Sequence, residues 1–361
     1  MVDAKTLFNL SDCCQHKIPE VTVTIDSELL EKIKWNRIGG IAAANIFGTE
    51  QYRLAEKERT EMEELANASM RKTEMFLKNM SYLCQVLKQA DFSYALLKGA
   101  YLTTKLYKKG NRTSNDIDML IHGKEVGKVD RLFKEHGFVQ GYVSPEGQLI
   151  PATRKQIVMS KLNYGETVPY VKLQEERLLS IDINFSIDYK PPKTDLVLDH
   201  MLSQMKEVAY GEDSFYTLDE YDFLIHLCCH QFKEAVIFDY FHRQKDIMLY
   251  KYSDMNLLFH HYDTDFSYQQ LLERMRLYGL EAQCYYCFDL LRKIYPSVGD
   301  LEGFSWLMKE LEPGDKAYLK RIIDPPARRA YRYQEEPEVW FVADEREKLL
   351  EEISWKDEYL I

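Results

Sequence analysis

The sequence lacks the long uncharged hydrophobic run that a membrane-spanning helix requires. Its longest uncharged apolar segment, residues 38–49, is too short to cross a bilayer. The first residues, MVDAKTLFNLSDCC, include neither a basic start nor a sustained apolar stretch, so they are not typical of a secretory signal. These two absences predict a cytoplasmic protein that does not associate with membranes.

Cysteine is scarce as well, with 7 in 361 residues, and an odd number of cysteines argues against an extracellular disulfide framework. Cys284 and Cys287 form a single C-x-x-C pair, inside the helix-like segment LEAQCYYCFDLLRKIY. Neither a second pair nor a nearby His accompanies it, as a zinc site would require. We therefore interpret these two thiols as core residues.

Basic residues are too few for a general nucleic-acid binder, because the formal net charge is −11 and such proteins need broad phosphate-neutralising surfaces. This excess of acidic residues favours a small molecule or a protein as partner and argues against template-directed polymerisation. With 45% hydrophobic and 29% charged residues, the chain has ordinary globular composition. Its length suffices for two or three domains with substantial cores.

One stretch inverts this acidic character. No Asp or Glu occurs from Phe92 to Asn115, where five cations fall instead: Lys98, Lys105, Lys108, Lys109 and Arg112. Gly99 follows the apolar run Tyr94–Leu97, which predicts a strand that ends in a tight turn before a helix. At such a turn backbone amides can approach a phosphate. Lys98 would act there as a point charge, and Arg112 could add a forked contact.

An acidic pair follows directly. Asp116 and Asp118 flank Ile117, so a strand here places both carboxylates on one face, about 7 Å apart along the backbone. Two like charges repel, and one carboxylate tends to take up a proton unless a cation lies between them. Mg²⁺ accepts oxygen ligands from one or two carboxylates and from substrate phosphates. The order of basic stretch and acidic pair therefore predicts a site for a nucleoside triphosphate (NTP) with magnesium.

A third acid is available downstream, in the segment LLSIDINFSIDY. Apolar and polar residues alternate there, which predicts a half-buried strand with one polar face, and Asp182 lies early on that face. If this strand pairs with the one that carries Asp116 and Asp118, Asp182 could complete a metal site or take a proton from an attacking hydroxyl. Asp188 is the less attractive choice, and an ordinary solvated strand face remains an alternative.

These segments together resemble a known family. LLKGAYL, then LY, then R-x-x-x-D-I-D-M-L-I and a downstream I-D-I-N-F resemble the poorly characterised bacterial nucleotidyltransferase-like group of the DNA polymerase β superfamily. The resemblance implies that Asp116, Asp118 and Asp182 bind Mg²⁺, or Mn²⁺ in its place. It also implies that Lys98 and Gly99, with Arg112, lie at the triphosphate of an NTP substrate. Two departures from the superfamily are the Gly99-Ala100 turn, which differs from the usual Gly-Gly or Gly-Ser, and a long gap before Asp116.

The resemblance implies an α+β fold with a polymerase-β-like core, in which a short mixed sheet packs with helices. We predict a mainly helical region over residues 1–90, the α/β core over 91–195 and a helical C-terminal domain over 196–361. Helical spacing of apolar residues between positions 50 and 89 predicts one or two amphipathic helices before the core.

Three functions follow as alternatives. The first is an Mg²⁺-dependent nucleotidyltransferase that transfers a nucleoside monophosphate from an NTP to a hydroxyl of a small-molecule or protein acceptor. The second is a non-catalytic nucleotide- or partner-binding module on the same fold. The third is a metal hydrolase at His226 and His230, four residues apart on a predicted helix, with Asp246. The family resemblance implies a different role for His230, Lys233 and Asp246, because members of that family carry a helix with His and Lys followed by a later Asp. Lys233 could then reach the triphosphate.

Overall fold

The computed structural model describes residues 3–14, 17–174, 177–187, 196–262 and 266–360. Asp188 and the Pro191-Pro192 pair lie outside these ranges. The chain divides into two compact units. Residues 67–226 form the first, which we call the central unit, and residues 1–66 together with 227–361 form the second, the terminal unit. The division into three consecutive regions, with limits at residues 90 and 195, stays a prediction.

Strands occur in both units. Those that the structure describes are β1 (Val23–Ile25), β2 (Tyr52–Leu54), β3 (Tyr94–Leu96), β4 (Ile117–Ile121), β5 (Val139–Val143), β6 (Leu149–Pro151), β7 (Tyr170–Gln174), β8 (Arg177–Asn184), β9 (Lys206–Tyr210), β10 (Asp213–Thr217), β11 (Arg321–Asp324), β12 (Arg329–Tyr333) and β13 (Leu350–Ile353).

Helices account for most of the remaining described chain. They are α1 (Ala4–Ser11), α2 (Ser27–Trp35), α3 (Gly39–Phe47), α4 (Glu56–Leu87), α5 (Gly99–Tyr101), α6 (Val126–Glu135), α7 (Arg154–Tyr164), α8 (Leu196–Ser203), α9 (Glu220–Val236), α10 (Phe238–His242), α11 (Leu249–Tyr262), α12 (Tyr268–Tyr278), α13 (Glu281–Ile294), α14 (Pro296–Gly299) and α15 (Phe304–Glu310). A π-helical segment, Leu102–Leu106, continues α5 directly. None of the described helices is long and apolar enough to cross a membrane.

Six strands of the central unit form one mixed sheet in the order β3-β4-β8-β7-β5-β6. β4 and β8 run parallel, whereas the other neighbours are antiparallel. A mixed sheet with helices is the α+β fold that the family resemblance implies. The strands of the acidic pair and of Asp182 are therefore adjacent, although α6, β5, β6, α7 and β7 lie between them along the chain.

The apolar positions of these strands face a common core. Ile117 and Met119 of β4 meet Ile181 and Ile183 of β8 in register, and helices α4 and α6 pack against this cluster. Fully burying an aliphatic side chain of this size contributes about 1.5–3 kcal/mol. Since side chains alternate between the two faces of a strand, burying the isoleucines directs Asp118 and Asp182 to the other face.

The helical spacing before the core corresponds to one helix, α4. Met62 and Met80 are buried on it, as that spacing predicts, whereas Met70 and Met75 are 38% and 40% exposed. The helix prediction is confirmed, although the apolar stripe is narrower than its methionines suggest.

The terminal unit is mainly helical, but it also contains strands. β1 and β2 form a parallel pair, and β11, β12 and β13 form an antiparallel sheet. The strands β9 and β10 form a hairpin in the central unit, also after residue 196. The C-terminal part of the chain is therefore helical with two small sheets. Their strands are too short for a period of two to stand out in sequence.

A buried ion pair lies within the terminal unit. Asp246 is fully buried, and one of its carboxylate oxygens accepts hydrogen bonds from the Arg346 guanidinium and from Trp340 Nε1, the latter at 2.8 Å. The guanidinium carbon of Arg346 lies 4.6 Å from the ring centroid of Trp340 and 4.7 Å from that of Trp35. Hydrogen bonds and aromatic faces thus replace only part of the water that both charges lose, because Asp246 Oδ1 and Arg346 Nε and Nη1 are buried without a hydrogen-bond partner among the described residues.

Candidate functional site

Two carboxylates lie side by side on the sheet of the central unit. Asp118 of β4 and Asp182 of β8 are register partners in the parallel pair. Neighbouring strands are about 4.8 Å apart, so side chains at partner positions on one face are adjacent. Asp116 immediately precedes β4 and is exposed. The expected pairing of the two strands is therefore present.

Lys98 provides the positive charge at these acids. Its ammonium lies 2.7 Å from Asp118 Oδ1, and both side chains are largely shielded from water. Lys98 is positioned by the end of β3, the strand next to β4. Its backbone φ of +46° is a conformation that residues other than glycine seldom adopt, and such strained residues cluster at functional sites. The strand, the turn and the start of α5 therefore hold this lysine against Asp118.

The electrostatics of the acids reflect their crowding. Burial, then the charges of Asp118 and Asp116, raise the pKa of Asp182 to about 8, although Lys98 opposes the shift. The pKa of Asp116 is raised too. The first cause is desolvation by the protein atoms around its carboxylate, although part of the residue is exposed, and the second is the charge of Asp118. At neutral pH the acids therefore do not all carry a negative charge unless more positive charge joins them.

The turn after Lys98 requires a residue without a side chain, as the sequence predicts, but for an additional reason. A Cβ on Gly99 would lie 2.8 Å from the Cβ of Ser114, still closer to its hydroxyl, and 3.0 Å from Arg112 Nη1. Real Cβ atoms essentially never approach another atom this closely. Gly99 is therefore needed for the contact with Ser114, whether or not a phosphate approaches the turn.

Arg112 lies behind this turn and is 8% exposed. Its Nη1 donates hydrogen bonds to the hydroxyls of Ser114 and Thr103, the latter at 3.4 Å. The backbone carbonyl of Arg112 accepts a hydrogen bond from the Thr73 hydroxyl at 3.0 Å. The guanidinium thus joins Thr103, in the π-helical segment after α5, to Ser114, in the segment that leads into β4. Its predicted contact with a triphosphate stays a prediction.

The three acids offer the oxygen ligands that Mg²⁺ and Mn²⁺ prefer. The raised pKa of Asp182 indicates that this face has too little positive charge, which a divalent cation would supply. Within the described ranges, however, no three His, Cys, Asp or Glu side chains already converge as a metal ion requires. The donor set fits the ion chemically, and binding would require rotation of these carboxylates about their side-chain bonds.

Lys233 belongs to the terminal unit, as do His230 and Asp246 of the proposed hydrolase site, whereas His226 is the last residue of the central unit. Lys233 is half-buried on α9, and its predicted role at the triphosphate stays a prediction. His230 Nε2 lies 3.4 Å from Glu234 Oε1, and Asp246 is occupied by Arg346 and Trp340. His226 is buried. The part of the chain that the structure describes contains no group of metal-ligating residues here, and nothing in it favours the hydrolase.

The C-x-x-C cysteines lie in the core of the terminal unit. Cys284 and Cys287 are fully buried on α13, and Cys287 Sγ donates a hydrogen bond to the carbonyl of Cys228 at 3.3 Å. Their burial agrees with the interpretation as core residues.

Two residues near the acids escaped the sequence reasoning. Ser114 lies two and four positions before Asp116 and Asp118, so the same alternation could have identified it. Glu166 lies beside the end of β8, where its charge contributes to the raised pKa of Asp182. No spacing in the sequence indicates this neighbour, because its position depends on pairing between distant segments.

Comparisons with known proteins show which family the chain matches. Residues 25–296 match the model of a protein family described as uncharacterised nucleotidyltransferase. Among solved structures, the chain is similar to an antigenic nucleotidyltransferase-like protein from Paracoccidioides brasiliensis, with a TM-score of 0.36 and 16% identity. That similarity covers 65% of this chain and 93% of the other. No curated protein matches the sequence. The range matched by the family model includes the whole central unit.

Proposed function

The chain belongs to a family of uncharacterised nucleotidyltransferases, and from this premise we propose that it transfers a nucleoside monophosphate from an NTP to a hydroxyl of a small-molecule or protein acceptor. Mg²⁺, or Mn²⁺ in its place, is the proposed cofactor. The observation that carries this proposal is the register pairing of Asp118 with Asp182 on one sheet face, next to the Lys98 ammonium. The face combines metal-ligating carboxylates with a cation suited to phosphate.

The acids would hold the metal ion through Asp116, Asp118 and Asp182. When bound, the ion supplies positive charge that polarises the α-phosphate and neutralises charge on the departing pyrophosphate. In the transfer, the acceptor oxygen bonds to the α-phosphorus as the bond to the β-phosphate oxygen breaks. The proton of the acceptor hydroxyl moves to a carboxylate, for which we propose Asp182. Asp182 accepts that proton only in its ionised form, which the positive charge of a bound ion would favour.

The phosphate end of the proposed site is the turn at Lys98 and Gly99. Lys98 now neutralises Asp118 at 2.7 Å. Its ammonium, a compact point charge, would also attract the triphosphate of a bound NTP. Arg112 would steady the pyrophosphate, either directly or by holding the turn through Ser114. Lys233 is proposed as a further triphosphate contact, on the basis of the family resemblance alone.

The proposal is tested by incubating the protein with each α-labelled NTP and Mg²⁺ in an extract of its native cells, then identifying the labelled molecule. We expect wild type to label an acceptor, and Asp116→Asn and Asp118→Asn to lower the labelling rate at least 100-fold while the proteins stay folded. This size reflects the loss of a charge that stabilises the transition state. Glu135→Gln, an exposed change of equal charge on α6, is the matched control. Labelling that persists in both aspartate variants would exclude the mechanism.

A non-catalytic nucleotide- or partner-binding module is the second candidate. Two observations favour it: Lys98 already neutralises Asp118, and the described acids do not converge on a metal position. The module would bind NTP equally well with Mg²⁺ or with a chelator, and Asp116→Asn would leave the affinity unchanged. Calorimetric titration of wild type and variant with ATP, with and without Mg²⁺, separates the two functions. Transfer of label to any acceptor would eliminate the module.

A further inference from the structure

A short segment extends the sheet beside the end of β8. The Thr167 N–H donates to the carbonyl of Ile183 at 2.9 Å, and the Phe185 N–H donates to the carbonyl of Gly165 at 2.8 Å. Between these two bonds, Glu166 and Asn184 form an antiparallel bridge. Glu166 therefore lies directly opposite a residue of β8.

The pairing between this segment and β8 includes a β-bulge. Tyr170 is paired with Ile181, and Glu166 with Asn184. Residues 167, 168 and 169 thus lie between the paired positions on one chain, whereas only residues 182 and 183 lie between them on β8. An extra residue of this kind changes which face the following side chains occupy. The bulge lies opposite Asp182, and bulges often occur next to active sites.

The bulge determines where Glu166 lies. Tyr170 packs in the hydrophobic core with Ile181, and in a regular strand a residue four positions earlier would share that core face. Because of the extra residue, Glu166 instead pairs with Asn184, which shares the polar face with Asp182.

We propose that Glu166 binds the acceptor substrate, and that this substrate is a neutral or cationic hydroxyl compound rather than an anionic one. The inference rests on the proposed nucleotidyl transfer. β8 pairs with β4 along one edge and with the segment of Glu166 along the other. Asp182, on β8, therefore lies between Asp118 and Glu166 across the sheet. Lys98, at the phosphate end, is next to Asp118. A carboxylate on the opposite side accepts hydrogen bonds from hydroxyl or ammonium groups and repels phosphate or carboxylate groups.

The test separates nucleotide binding from transfer. For Glu166→Gln, we expect the Kd for ATP with Mg²⁺ to stay within about twofold of wild type. Label transfer to the acceptor in extract should fall about tenfold or more, as for the loss of a hydrogen bond to a charged group. Glu166→Asp, which keeps the charge, should recover part of the transfer. Glu135→Gln is again the control for an exposed charge in the central unit.

The outcomes are distinct. If Glu166→Gln weakens ATP binding as strongly as Asp116→Asn does, Glu166 belongs to the nucleotide end and the inference is wrong. Transfer at the wild-type rate in Glu166→Gln would also overturn it, as would a labelled acceptor that carries phosphate or carboxylate groups at the labelled end. A wild-type protein that transfers no label would instead overturn the proposed function, and this inference with it.

Discussion

Asp182 keeps its proton at pH values far above those at which an aspartate usually ionises. Its pKa of about 8, against an ordinary 3.8, results first from burial and then from the neighbouring acids. A group whose pKa is raised in the folded state stabilises that state fully only below its unfolded pKa. This contribution is lost as the pH rises through about 8, because the protein must then hold another negative charge on a crowded face.

Asp182→Asn should therefore change how stability depends on pH. Without divalent ions, we expect the free energy of unfolding of wild type to fall between pH 6 and pH 9 relative to the variant. The difference should be on the order of 1 kcal/mol, after allowance for solvent screening. Urea unfolding at both pH values measures it. Parallel stability curves for the two proteins across this range would show that Asp182 titrates normally.

Lys98 offers a prediction about nucleotide affinity. Lys98→Gln removes the ammonium from Asp118, so we expect the Kd for ATP with Mg²⁺ to rise about tenfold or more, in line with the loss of a charge-assisted contact to phosphate. Lys105→Gln, an exposed member of the same basic stretch, should change this Kd less than twofold. Calorimetric titration provides both values. Equal effects of the two substitutions would mean that Lys98 contributes only to the general charge of this region.

The turn between β3 and α5 illustrates what sequence reasoning can identify at the level of secondary structure. Alternation of apolar residues was enough to predict β4 and β8 and the residues that share a face within each strand, because a period of two is local. The pairing of β4 with β8, which brings Asp118 next to Asp182, was only a condition of the hypothesis, since it joins distant segments. The Gly99 turn was also recognised from the sequence. Its contact with Ser114 was not, since that contact joins the turn to the separate segment that leads into β4. The bulge that places Glu166 depends in the same way on the register between distant segments.

The contact between Gly99 and Ser114 predicts a compensating pair of substitutions. Gly99→Ala should destabilise the protein by about 1–3 kcal/mol and weaken ATP binding, because the new methyl group collides with Ser114. Adding Ser114→Gly removes the two atoms that the new methyl group approaches most closely, so the double variant should recover most of the loss. Urea unfolding and ATP titration of the two single variants and the double variant measure this coupling. A double variant no better than Gly99→Ala would show that the collision with Ser114 is not what requires a glycine here.

The whole molecule is organised in a way that the sequence does not show. The family resemblance indicated the right family, and it described the α+β core. The terminal unit, however, combines residues from both ends of the chain. Patterns along a sequence indicate consecutive regions, whereas this unit depends on contacts between segments that the entire central unit separates. Cytoplasmic location and the lack of nucleic-acid partners stay predictions.

The buried pair of Asp246 and Arg346 provides a stability test of the terminal unit. Asp246→Ala leaves the Arg346 guanidinium buried without its carboxylate, so we expect a loss of about 3–5 kcal/mol in the free energy of unfolding. Asp239→Ala, which removes the exposed Asp239–Arg243 pair, should cost less than about 1 kcal/mol. Denaturant unfolding measures both. A small effect of Asp246→Ala would show that water reaches Arg346.

The discontinuous terminal unit affects the order of events during synthesis on the ribosome. Every part of the central unit emerges before residue 227, so its sheet can form while the chain is still growing. The N-terminal segment of the terminal unit, in contrast, lacks its partners until residues 227–361 have been synthesised. Apolar surfaces of α1, α2 and α3 therefore stay uncovered by residues 227–361 throughout translation of the central unit, a period in which a chaperone could bind them.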